Sequence, residues 1–409
     1  MNQKHSTEKI VGYDASAYAQ REKGYSPNPT MNLSSNTVSL FLPPLVGGGT
    51  ERVMLNLGQS LAERGLKIDL VLPEIEGPYR PYMTRVPSEL RVIDLKSPRS
   101  PVVFVSKLLA LRRYLRQERP AVMVSSLDYA SVSTWARRLA GVNTRILMCV
   151  HTNISHEFNN NGVKGKLKPY LIKWFYPWAD RIVAVSQGVA EDVASISGLP
   201  LAQIPVIYNP VVTPDLFEKA KEPVDHPWFA PGEPPVILGA GRLAYQKDFP
   251  TLIRAFALVR QHRPVRLMIL GQEGDKRPQL EALVRQLGVE CEVALPGFAE
   301  NPYAYMAKAA VFVLSSLYEG FGNVLVEAMA VGTSVVSTDC KSGPAEILEY
   351  AKYGKLVPVG DVDALADAIL TTLSKPTDPE VLRQRAGAFS VDRIVAQYLE
   401  VLNIVANQG

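Results

Sequence analysis

The chain has 409 residues, too many for one ordinary hydrophobic core, so two domains of roughly 150 to 220 residues are expected. It is 47% hydrophobic and 21% charged with mean hydropathy +0.01, which excludes disorder and collagen-like repeats. A net charge of +4 and a pI near 8.8 suit anionic ligands but fall short of a nucleic-acid signature.

Residues 1–35 are polar, lack apolar periodicity and end in SPNPT, the pattern of a mobile tail. They lack the apolar stretch of a signal peptide, and no run approaches the ~18 apolar residues of a membrane helix, so a cytoplasmic protein is expected. From Thr37 onward, short apolar runs alternate with longer segments of helical period, as in βαβ units around a parallel sheet. The first set of strands reads TVSLFL, LKIDLVL, LRVIDL, AVMVSS, RILMCV, RIVAVS and IPVIYN. Helices are expected near 50–64, 101–118, 129–140, 167–177 and 187–197. In TERVMLNLGQSLAERG, Thr50 is placed to cap, Val53, Met54, Leu57 and Leu61 form one stripe, and Gly65 stops the helix.

Prolines between Val211 and Pro235 break the pattern and mark a linker. The alternation restarts at Val236 with VILGA, VRLMILG, CEVALPG, AVFVLSS, SVVSTD and KLVPV, with FPTLIRAFALVRQH and RPQLEALVRQLG among the intervening helices. Three helices, near 361–374, 378–388 and 391–407, close the chain. The last has an apolar stripe that needs a surface, which the first domain offers. The division is therefore 36–214, a linker at 215–235, and 236–390, with 391–407 returning to the first domain. Cys149, Cys291 and Cys340 are odd in number and lie far apart, so they read as reduced core residues.

Ligands of open parallel sheets bind beyond the carboxyl ends of the strands. The residues found there are Gly47, Gly48 and Gly49; Ser125, Ser126 and Asp128; His151; Gly241 and Arg242; Gly271; and Glu319, Gly320, Phe321 and Gly322. In SSLYEGFGNVLVEAMAVGTSVV a strand, a glycine-bracketed loop and a helix follow in close succession. Gly320 and Gly322 let backbone approach a ligand, and the unsatisfied first amides of the helix form an anion site. Glu327 leans back toward that N-terminus, where its carboxylate is able to accept from two ribose hydroxyls. Glu319 precedes the helix and must do something else.

The form EGFGNVLVEA, with two glutamates at this spacing, resembles the signature of glycosyltransferase family 4. The resemblance extends through GGGTERV, AVSQGVAEDV, VIYNPV, GRLAYQKDFPTLIRAF, LPGFAENPYAYMAKA and the closing helix pair. It implies a GT-B fold, an α/β architecture of two Rossmann-like domains facing a cleft, and a retaining transferase that uses a nucleotide-sugar donor. On that resemblance Arg242 and Lys247 bind the donor diphosphate, Glu319 contacts the transferred sugar, and Glu327 holds the ribose. Gly271 and Gln272 flank the nucleotide, and Leu295, Pro296 and Phe298 lie against the base. Gly48 and Gly49 face the phosphates, Gly241 and the run Gly320, Phe321, Gly322, Asn323 and Val324 border the donor, and His151 lies near its sugar. The charges also make independent sense, because an Arg fork with a Lys point charge suits a diphosphate gaining negative charge as it leaves.

No metal or other cofactor is expected. His151 and His156 lack partners at ligand spacing, and Asp361 and Asp363 read as acids at a helix start. The run Lys164, Lys166, Lys168 and Lys173, with Trp174, Phe175, Tyr176 and Trp178, fits either an anionic membrane surface or a core-facing helix with solvated lysines. CKSGPAEIL departs from the common family form in having Ser342 before Gly343. It resembles members that extend lipid-linked oligosaccharides of bacterial surface polymers from UDP-sugars. The expected partners are thus a UDP-hexose or UDP-N-acetylhexosamine, a polyprenyl-linked glycan and the inner face of the membrane, with no nucleic acid. An epimerase or phosphorylase on the same fold and a sugar-nucleotide sensor are the rivals, whereas a nicotinamide dehydrogenase is disfavoured because no G-x-G-x-x-G opens the first helix.

Overall fold

The computed structural model describes residues 37–97, 103–126, 130–159, 172–271, 274 and 276–407. The expected tail, Asp128, Lys164, Lys166, Lys168 and Gln272 lie outside the described residues.

Two six-stranded parallel sheets form from the apolar runs. The first contains β1 (Thr37–Phe41), β2 (Lys67–Leu72), β3 (Arg91–Asp94), β4 (Val122–Ser126), β5 (Arg145–Val150) and β6 (Arg181–Ala184), in the order β3-β2-β1-β4-β5-β6. The second contains β7 (Val236–Ala240), β8 (Arg266–Leu270), β9 (Val293–Gly297), β10 (Val311–Leu314), β11 (Val335–Thr338) and β12 (Lys355–Val357), in the order β12-β11-β10-β7-β8-β9. Both sheets thus repeat one topology, in which the connection reverses direction between the first and fourth strands. Crevices open at these switch points, between β1 and β4 and between β7 and β10, where such folds bind ligands.

The central strands are apolar on both sides because helices cover both faces. Val38, Leu40 and Val124 pack on one side with the Gly49–Glu63 helix, while Phe41 and Met123 pack on the other. The last helix, Val391–Asn407, places Val391, Ile394, Val395, Tyr398 and Leu402 in the same core as Met54, Leu57 and Leu61. Its apolar stripe is therefore covered by the first sheet's side of the molecule. A third cluster, including Phe249, Phe256, Leu280 and Ile369, fills the outer side of the second sheet.

Several local expectations are corrected. IPVIYN is not a full strand, since only the Ala184–Val206 bridge forms, and Pro205 and Pro210 lack the amides a ladder needs. Thr50 does not cap the first helix. Gly48 occupies that position, and the Glu51 carboxylate instead reaches back to accept from the amides of Val46 and Gly47, both at 2.8 Å. The linker contains a short helix, Pro214–Ala220, for which Thr213 caps and Pro214 supplies a preset first turn. Cys149 and Cys340 are free and buried as expected, but Cys291 is exposed because it precedes edge strand β9 rather than lying in a core run. Of the helix expected at 167–177, the described part is residues 172–175 and the tight turn Tyr176–Trp178.

Candidate active site

The first half of the cleft begins where β1 ends. Gly47 takes a left-handed φ of 83°, and the Glu51 carboxylate pins the loop by its amides. Burial raises the pKa of Glu51, opposed by those backbone bonds. Gly49 faces the second half: its carbonyl accepts from Asn323 Nδ2 at 3.4 Å, and a Cβ on Gly49 would lie 3.3 Å from that same atom.

In the second half, β10 runs into Ser315, Ser316 and Glu319. Lys247 Nζ lies 2.5 Å from Glu319 Oε1, and Ser316 Oγ donates to the same oxygen at 2.6 Å. Lysine and glutamate are both largely buried, so this charge pair interacts at lower dielectric than a surface pair. Gly241 and Gly271 let two loops meet, since a Cβ on Gly271 would fall 1.9 Å from the Gly241 carbonyl oxygen. Any side chain at Gly241 would also press on the Lys247 stem. Arg242, next in sequence, is exposed and has no ion-pair partner among the described residues. Pro296 is exposed, as is Phe298, which stacks with the Arg85 guanidinium at 5.1 Å from its ring centre.

Gly320 joins the halves. A Cβ there would lie 1.8 Å from the His151 carbonyl oxygen, so only glycine permits this approach, and Ser186 Oγ donates to the Gly320 carbonyl at 2.7 Å. Phe321 is buried and stacks on Tyr208. Gly322, at φ 104°, starts the Asn323–Ala330 helix, whose N-terminus faces the glycine loop through Asn323. Val324 lies on the first turn of the same helix. Glu327 is buried one turn further on, where its Oε1 accepts from Arg52 Nη1 at 2.8 Å.

His151, just beyond β5, is buried beside Asn209. Burial lowers its pKa to about 4, with Asn209 opposing the shift, so the ring is neutral at pH 7. Asn209 itself donates to Asn323 Oδ1 at 2.8 Å. The unfolded chain takes up this proton near pH 6.5 and the folded chain only near 4. Stability is therefore lost as pH falls through that window. Between pH 7 and pH 5 His151 alone should remove roughly 2 kcal/mol. Urea unfolding at both pH values checks this, and His151→Gln should lose about that much less than the parent over the same interval.

Lys247, Glu319, Gly320, His151, Gly49, Asn323 and Glu327 are thus linked across one cleft by short contacts. Lys173 is exposed and outside this set. Three residues of the cleft were not singled out by their sequence context: Arg52, Tyr303, which accepts from Arg52 at 3.0 Å, and Glu346, whose carboxylate accepts from the amides of Gln187 and Gly188. Ser342 has φ 72°, a region in which glycine is favoured, and its hydroxyl accepts from Asn153 Nδ2 at 3.1 Å. That departure from two glycines adds a contact across the cleft. Asp361 caps the Val362–Ser374 helix and Asp363 lies in its first turn. Among the described residues no cluster of three or more His, Cys, Asp or Glu is arranged to hold a metal.

Two family models match: Glycosyltransferase Family 4 over residues 47–214 and Glycosyl transferases group 1 over residues 221–388. The chain is 30% identical over 378 residues, 89% of its length and 99% of the relative's, to N-acetylgalactosamine-N,N'-diacetylbacillosaminyl-diphospho-undecaprenol 4-alpha-N-acetylgalactosaminyltransferase of Campylobacter jejuni. It is 27% identical to the lipopolysaccharide core biosynthesis glycosyltransferase LpsE of Rhizobium meliloti, covering 87% of this chain and 96% of that one. Among solved structures, Anabaena Alr3699/HepE in complex with UDP and glucose superposes with TM-score 0.72 at 21% identity, over 90% of this chain and 99% of its own. Sucrose-phosphate synthase from Thermosynechococcus elongatus gives 0.74 at 21% identity, over 91% and 100%. With twin parallel sheets of one topology and both halves of the chain matched, this protein belongs to glycosyltransferase family 4 and has the GT-B fold.

Proposed function

We propose that the cleft transfers a hexose or N-acetylhexosamine from a UDP-sugar to a hydroxyl of a lipid-linked glycan, with retention of anomeric configuration. The observation that carries this reading is the Lys247–Glu319 pair, which lies in the crevice at the end of β10 close to the Asn323–Ala330 helix N-terminus. Lys247, Arg242 and the helix amides stabilise the departing diphosphate, while Glu319 orients the sugar. On this view the acceptor oxygen attacks the anomeric carbon from the face the leaving phosphate vacates. That phosphate oxygen takes the acceptor's proton as the glycosidic bond breaks. The charges come from side chains and backbone, so no divalent ion is required, and EDTA should leave turnover unchanged.

The lipid-linked acceptor is supported by the name of the Campylobacter relative, an N-acetylgalactosaminyltransferase named for a diphospho-undecaprenol-linked sugar. Surface features agree with it. Phe104, Val105 and Leu109 on the Val103–Glu118 helix are exposed, as is Leu139 on the neighbouring Ala130–Ala140 helix, and Trp174 is 70% exposed beside Lys173. No helix among the described residues is long and apolar enough to cross a membrane. The exposed apolar and aromatic side chains support our proposal of peripheral attachment to the inner face of the cell membrane. Each lysine near an anionic leaflet contributes roughly 1 kcal/mol, weakened by salt. Co-sedimentation with anionic vesicles should be lost when Lys164, Lys166 and Lys168 become glutamate. Binding that is absent in the parent, or unchanged in the variant, removes the membrane from the account. Screening UDP-, GDP- and ADP-sugars for slow hydrolysis tests the donor: UDP-sugars alone should be consumed, and preference for another nucleotide contradicts the assignment.

A further inference from the structure

We propose that Arg52 is a positioning residue of the nucleotide site: it holds one oxygen of Glu327 from across the cleft and leaves the other to accept from the donor ribose. The inference rests on the reading of Glu327 as the ribose acceptor and assigns a role to a residue of the opposite half.

Arg52 lies in the first turn of the Gly49–Glu63 helix, beside the glycine loop, and Glu327 lies on the Asn323–Ala330 helix. One guanidinium nitrogen of Arg52 donates to Glu327 Oε1 at 2.8 Å and to the Tyr303 hydroxyl at 3.0 Å. The Tyr303 ring lies under the guanidinium, 5.8 Å from its carbon. The negative charge of Glu327 is the main cause holding Arg52 above its ordinary pKa, so the pair is electrostatically coupled. Burial raises Tyr303, which keeps its hydroxyl protonated.

The second carboxylate oxygen is what gives this arrangement a ligand. Glu327 is only 3% exposed, and its Oε2 is buried without a hydrogen-bond partner among the described residues. A buried carboxylate oxygen without a donor is unfavourable, and folded proteins rarely keep one. A ribose presents two adjacent hydroxyl donors, which suits such an oxygen. Arg52 fixes the rotamer that aims Oε2, and Tyr303 braces Arg52 in turn. A guanidinium suits this task because its planar fork loses little freedom on binding a carboxylate. Because the pair spans the cleft, the aim of Glu327 depends on both halves meeting.

The test is the preference for ribose. Calorimetry with UDP, GDP and ADP, each beside its 2′,3′-dideoxy counterpart, is carried out on the parent and on Arg52→Met, Arg52→Lys, Tyr303→Phe and Glu327→Ala. The parent should favour the ribose form of the nucleotide it binds by about tenfold or more, and Glu327→Ala should erase that preference, because the hydroxyls lose the charged group that accepts from them. Arg52→Met should lose most of the preference, with affinity for the dideoxy form within about twofold of the parent's, and Arg52→Lys should restore part of it. If Arg52→Met does not fold, Arg52→Lys and Tyr303→Phe must each show a reduced preference. A role confined to bracing the two halves would weaken both nucleotide forms equally, and that result overturns the proposal. If Glu327→Ala keeps the full preference, or no nucleotide binds, the underlying ribose reading fails instead.

Discussion

Lys247→Ala should lower the rate of sugar transfer by about a hundredfold or more, the loss that follows removal of a preorganised donor to a developing negative charge. The structure sharpens that expectation. Lys247 already faces Glu319 at 2.5 Å, with Ser316 on the same oxygen, so its removal leaves a buried carboxylate with one hydroxyl for company. The variant should therefore lose stability as well as turnover, because breaking a buried pair strands a charge. Arg242→Ala separates the two effects. Arg242 is exposed, so its variant should fold as the parent does and still lose turnover by a comparable factor. Steady-state kinetics with thermal unfolding on both variants decide the matter. Near-normal turnover in folded Arg242→Ala and Lys247→Ala removes both residues from leaving-group stabilisation.

Glu327→Ala and Glu319→Ala should fail in different ways. On the proposed roles the first removes the acceptor of the ribose hydroxyls and takes the carboxylate partner from Arg52, so UDP itself should bind about tenfold or more weakly. The second, on the same proposal, removes the group assigned to orient the sugar and frees Lys247 from its partner, so UDP affinity should be kept or increased as transfer falls. Calorimetry with UDP reads the first effect and a transfer assay the second. Equal loss of UDP affinity in both variants would show that the acids share one role.

The strands were legible in the sequence because a parallel sheet covered on both faces writes itself as short continuous apolar runs, and all six runs of the second set became strands. IPVIYN misled because it has the composition of a strand, while Pro205 and Pro210 remove ladder amides. Strand ends also located Arg242, Glu319 and the glycine loops, since topology fixes where side chains gather before any contact is known, whereas Lys247 was picked out only by the family resemblance. Contacts across the cleft were not legible. Arg52 and Glu327 are 275 residues apart, and nothing in GGGTERV tells which acid that arginine meets. Likewise, Gly320 reads as a glycine that lets backbone approach a ligand, and only the structure shows the His151 carbonyl beside it, while His151 shows its low pKa only once its burial is known.

The most direct measurement gives the protein a UDP-sugar labelled in the sugar, with and without a polyprenyl-diphosphate-linked oligosaccharide in anionic vesicles. Chromatography follows the label and NMR of the product determines its anomeric configuration. The expected result is a lipid-linked product longer by one sugar, α-configured from an α-linked donor, formed without added divalent ion and dependent on Lys247. Release of an epimerised sugar at the same rate with or without acceptor, or an inverted β-product, contradicts it.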